Sequence, residues 1–208
     1  MLPIRFKPFI GKYFQTQEFK ILILGESHYF CDKDYSDYLN EEKRIKSITI
    51  EVVNRFLDFK KTGENSEKWM KTYTSFSNVF NGKRQSNPET IDFWESCSFY
   101  NYVQAPTKGT RISPMKEEFD LSFNAFKHVV EEINPNLIFF WGYRLWDNFP
   151  KDNYRSLTKG ADKIHFLTLN SNFPIMVVPH PSSSKFNYGI TEEIKNYINT
   201  VKNFGNNV

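Results

Sequence analysis

At 208 residues, with 39% hydrophobic and 25% charged, the chain suits one domain, or at most a domain with an elaborated insertion, able to bury a proper core and remain soluble. A net charge of +3 permits an anionic partner without announcing one, because nucleic-acid binding usually needs a clustered basic patch. Two cysteines, Cys31 and Cys97, exclude a four-thiolate metal site, and no window approaches the length of a membrane span.

The segment Met1-Leu2-Pro3-Ile4-Arg5-Phe6-Lys7 lacks the apolar stretch of a signal peptide. The expectation is a cytoplasmic protein with reduced thiols. Residues 1–19 lead across one edge of the domain. Ile21-Leu22-Ile23-Leu24 is an unbroken apolar run, too short for a helix and closed by Gly25, which reads as a strand buried on both faces. It hands over to Glu26, Ser27, His28 and Tyr29, and residues 30–40 form an acidic, tyrosine-bearing loop over its end. Helical spacing of Ile45, Ile48, Val53, Phe56 and Leu57 predicts a helix over about 42–59, with a glycine stop at Gly63. A second helix is expected over 66–80, a polar basic turn over 81–88, and a short helix over 89–95.

Ser98-Phe99-Tyr100-Asn101-Tyr102-Val103 is the next strand candidate. Ser113-Pro114 opens a long helix whose apolar stripe runs from Phe119 to Ile133 and which Asn134-Pro135 ends. Leu137 to Trp141 is a third buried strand, followed by a short helix over 143–149. Residues 150–163 read as a loop and 164–169 as a minor strand. Residues 174–179 are the fourth main strand, running into His180-Pro181-Ser182-Ser183-Ser184, and a last helix covers about 191–201. Strands alternating with helices predict a parallel sheet with right-handed crossovers and helices on both faces.

In such sheets ligands bind beyond the carboxyl ends of the strands. Three of those ends carry polar groups: Gly25 to Tyr29, Asn101, and His180 to Ser182. On these residues the chain resembles a divergent member of the uracil-DNA glycosylase superfamily. Gly25-Glu26 is similar to that family's Gly-Glu-Ala-Pro-Gly opening, and Tyr29 falls where its Gly-Gln-Asp-Pro-Tyr-His form has tyrosine. Tyr100-Asn101-Tyr102-Val103-Gln104-Ala105-Pro106 is similar to its asparagine motif. The run Pro135 to Gly142 resembles its apolar strand, and His180-Pro181-Ser182 its final motif. The resemblance spans about residues 18–200. It implies a three-layer α/β/α sandwich on a mainly parallel four-stranded sheet, in a single domain over 1–208 with a helical insertion at about 42–95.

It also implies chemistry: hydrolysis of the N-glycosidic bond of a deaminated or modified base flipped from single- or double-stranded DNA. His180 would support the charge of the departing base, and Asn101 would read its edge. Tyr29 or Phe30 would stack on it, and Gly25, Ser27 and His28 would complete the pocket. Ser182, Ser183 and Ser184 would hold phosphates, with Lys185 beside Phe186 as the wedge into the duplex. Lys108 and Arg111, beside the motif segments, are further phosphate candidates. The family's water-holding aspartate is Ser27 here, so the carboxylate would come from Glu26, or from Asp32 or Asp34. With two cysteines no iron–sulfur cluster is expected, nor any other metal or cofactor, nor a membrane partner; the expected state is a monomer. Two alternatives stay open. One is a catalytically inactive protein of the same fold that binds nucleic acid or a nucleotide. The other is a hydrolase with Ser27 as nucleophile, which lacks the acid such enzymes usually set three residues before the histidine, where Val177 stands.

Overall fold

The computed structural model describes residues 5–29, 42–109, 112–159 and 162–205. In chain order these form β1 (Phe9–Ile10), β2 (Ile21–Gly25), α1 (Glu42–Thr62), α2 (Met70–Asn81), α3 (Asn87–Glu95), β3 (Ser98–Asn101), α4 (Lys116–Ile133), β4 (Leu137–Trp141), α5 (Tyr143–Asn148), β5 (Tyr154–Lys159), β6 (Asp162–Thr168), β7 (Asn172–Val178) and α6 (Thr191–Gly205). The fold is α/β. One sheet runs β1-β3-β2-β4-β7-β6-β5.

Its centre, β3-β2-β4-β7, is parallel and comprises the four strands expected from the apolar runs. The sheet nevertheless has seven strands rather than four, because β1, β6 and β5 add antiparallel edges. Residues 150–163 are therefore not simply a loop. Most of β5 is exposed, and six registered pairs with β6 hold it rather than burial. A strand of that kind leaves no apolar alternation to read.

The core lies on both faces of the sheet. Ile21, Ile23, Phe99, Phe139 and Trp141 face α2, α3, α6 and the carboxyl half of α1. Leu22, Leu24, Tyr100, Ile138 and Phe140 face α4 and the α5 region. The alternation follows from the two-residue period of a strand covered on both sides. Local signals set several helix ends. Ser86 Oγ accepts from Glu89 N while Glu89 Oε2 accepts from Ser86 N, a capping box that starts α3. Asn134 adopts φ 49° and its N–H bonds Val130 O at 2.8 Å, closing α4. At the start of α4, Glu118 Oε2 takes the Met115 N–H at 2.7 Å. Ser113, expected at that cap, instead faces the strand ends. No helix among the described residues is long and apolar enough to cross a membrane.

Candidate functional site

The parallel register lines up Asn101, Gly25, Trp141 and Val178 across the carboxyl ends of the four central strands. Gly25 shows how tightly that row is built. A Cβ there would lie 2.2 Å from Asn101 Oδ1 and 2.9 Å from Phe99 Cζ. Only a residue without a side chain lets Asn101 lie across β2. Beyond the strand the ladder continues, with Tyr102 N–H donating to Gly25 O and Val103 N–H to Glu26 O at 2.9 and 2.8 Å.

Asn101 is buried and points its amide nitrogen at His28, 3.2 Å from Nδ1 and 3.1 Å from Nε2. His28 Nε2 lies 2.8 Å from Thr49 Oγ1 on α1. One tautomer satisfies all three groups: Nε2–H donates to Thr49, and Nδ1 accepts from Asn101. Burial drives the His28 pKa down to about 3, so the ring is neutral. His28 therefore fixes the asparagine from behind rather than touching a ligand. With its N–H side held, Asn101 presents its Oδ1 over Gly25.

His180 stands two residues past β7, its Cβ 3.3 Å from where a side chain on Gly142 would begin. Gly142 has φ 98°, the left-handed region, so glycine is doubly required there. The Ser182 N–H (3.2 Å) and Oγ–H (2.7 Å) both donate to His180 Nδ1. That leaves the proton on Nε2. His180 is exposed at the surface, yet desolvation lowers its pKa, with Glu26 opposing and Arg144 adding to that shift. The histidine is thus a neutral N–H donor, backed edge-on by Trp141 with ring centroids 6.2 Å apart. The Trp141 indole N–H is buried and has no hydrogen-bond partner among the described residues.

Alternation past Gly25 turns Glu26 toward α5. There Arg144 grips it with two bonds, Nε–H to Oε2 at 2.7 Å and Nη2–H to Oε1 at 2.5 Å. Arg144 Nη1–H also donates to Ser113 Oγ at 2.8 Å. Hydrogen bonding to Glu26 raises the arginine pKa further above its ordinary value. The carboxylate expected to position water is thus held in a two-pronged ion pair, one bond to each oxygen.

The remaining expected residues divide. Tyr29 is 46% exposed on the same rim, and its pKa is raised by burial and then by Glu67. Glu67 accepts from Trp69 Nε1–H at 2.9 Å and pairs with Arg55, so the α1–α2 region walls this side of the site. Ser27 and Ser183 are half-buried, while Ser182, Ser184, Lys185 and Lys108 are exposed. Phe186 corrects the reading made of it. It is buried and stacked on Phe76 at 5.7 Å, a core ring rather than an exposed wedge. The loop after His180 folds back through the Ser183 N–H to His180 O and Phe186 N–H to Ser183 O bonds, which carries the ring inward. Phe30, Asp32, Asp34 and Arg111 lie outside the described residues.

Sequence reasoning missed Arg144, Ser113 and Thr49. Arg144 lies two residues past the Trp141-Gly142 strand end, as Glu26 lies one past Leu24-Gly25, so the strand-end rule applied to β4 would have found it. Thr49, polar between Ile48 and Ile50 on a buried stripe, carried a signal of its own. Among the described residues no three His, Cys, Asp or Glu side chains group to hold a metal ion. No protein-family model matches this chain, and no curated protein is detectably similar to it.

Proposed function

We propose that the protein is a DNA glycosylase-like hydrolase, of a uracil-DNA glycosylase-like fold, acting on a deaminated or modified base turned out of the strand. One observation carries the reading: Asn101, held from behind by His28, lies over Gly25, and His180, against Gly142, stands on the same rim of strand ends. The β3 and β7 backbones stand three strand spacings apart, roughly 14 Å, a span that two side chains and one flat ring between them can fill.

In this reading Asn101 Oδ1 accepts from a ring N–H of the base. As the bond between the sugar and the base nitrogen breaks, its electron pair passes to the base, and His180 Nε2–H donates to the carbonyl where the charge gathers. A neutral donor suits this role, because its hydrogen bond strengthens as the charge develops. Water then adds through its oxygen to the sugar cation, and its proton passes to the departed base anion. Glu26 is a described carboxylate close to His180, and its bond to Arg144 must loosen for it to take part.

That bond favours a second reading, a protein of the same fold that binds nucleic acid without cleaving it. Single- and double-stranded oligonucleotides carrying uracil, hypoxanthine, xanthine or modified pyrimidines separate the two. Release of a free base that disappears in Asn101→Ala supports the enzyme. Binding weakened by Asn101→Ala without release supports the binding protein. Neither release nor binding sinks both readings.

A further inference from the structure

Glu26 and Arg144 form an ion pair with two unlike faces: the glutamate side chain is 11% exposed and the arginine 54%. The guanidinium spends three of its five N–H groups, two on Glu26 and one on Ser113. A phosphate matches the same two-pronged geometry as a carboxylate, so it competes for the same fork from the solvent side. The arginine side of the pair is reachable from solvent. His180 lies within the electrostatic reach of both partners.

We propose that Arg144 is a latch on Glu26, released when the ligand's anionic group, a phosphate in the nucleic-acid reading on which this rests, takes the arginine. In the free protein both carboxylate oxygens are covered. Once the guanidinium turns to the phosphate, Glu26 stands uncovered beside His180. Arg144 is thus a positioning residue that ties the state of the carboxylate to occupation of the site. No bond is made or broken in the exchange.

The test uses inorganic pyrophosphate as the anion, with affinity and the Arg144 Nε–H resonance followed by NMR in the whole protein. Removing the competitor with Glu26→Gln tightens pyrophosphate binding about threefold to tenfold. Arg144→Gln weakens binding, and in that background Glu26→Gln brings no gain. Arg144→Lys keeps the charge but not the fork, and recovers only part of the affinity. The latch is overturned if Glu26→Gln brings no gain, or if the gain persists without Arg144, which would make it a general effect of removing negative charge. Matching thermal melts make the affinities comparable. Base release is scored separately, so a protein that follows the pyrophosphate pattern but releases no base keeps the latch and loses the glycosylase reading.

Discussion

His28 is neutral because its surroundings cannot solvate a charge, and that has a consequence for stability. Its pKa falls from the ordinary histidine value to about 3 on folding. Between those values the unfolded chain binds a proton that the folded chain refuses. The contribution is whole above pH ~6.5 and is lost as pH drops toward 3, by about 1.4 kcal/mol per unit. Urea unfolding from pH 7 to pH 4 should show this loss, and His28→Gln should show a shallower one. Equal slopes would mean that the ring is not buried neutral. His180 carries a related prediction. Its pKa is lowered, so if it donates to a departing base as proposed, the acid limb of the kcat/KM profile for base release should lie below the ordinary histidine value of about 6.5. A limb above that value would contradict the lowered pKa. Gly25→Ala tests the tightest contact of the site. The added Cβ meets Asn101 Oδ1 at 2.2 Å, so Asn101 must move, at about 1–3 kcal/mol by calorimetry, and function should fall together with stability.

At the scale of elements, strand ends place the chemistry and alternation aims it. Gly25 and Asn101 share one face, while Glu26, one residue on, turns to the other. Strands β2 and β4 were readable because a strand covered on both faces is an apolar run, and α4 because its stripe keeps helical period. Strand β5 was not, because its side chains are mostly exposed and leave no apolar alternation, although its partner β6 follows it directly in the chain. Asn101 and His180 were legible as polar residues at strand ends. The pairings behind them were not, because Thr49 holds His28 and Arg144 holds Glu26 across elements that only the fold brings together, even though each residue carried a local signal. Phe186 was misread for the same reason. Beside Lys185 and three serines it looks like a surface ring, yet its loop returns it to Phe76 on α2. Phe186→Ala should therefore cost about 3–5 kcal/mol of stability, seen as a lowered melting temperature. An unchanged melting temperature with lost activity on duplex DNA would restore the wedge.

At the scale of the whole molecule, the two cores on either side of the sheet hold the four central strands in one register. That register sets Asn101 and His180 on opposite sides of Gly25 and Trp141. Helices α1 to α3 all fall between β2 and β3, and bring Thr49 behind His28 and Tyr73 beside Trp141, with ring centroids 5.7 Å apart. The site is thus a product of the assembled sheet, and its two chief residues should act on one bound ring.

A double-mutant cycle in single-turnover base release tests that claim most directly. Asn101→Ala and His180→Ala are compared with the double variant on an oligonucleotide carrying the released base. Residues gripping one ring should be coupled, with the double variant losing clearly less than the product of the single losses. Losses that multiply independently, or a His180→Ala protein that releases base at the wild-type rate, would contradict a ring held between them.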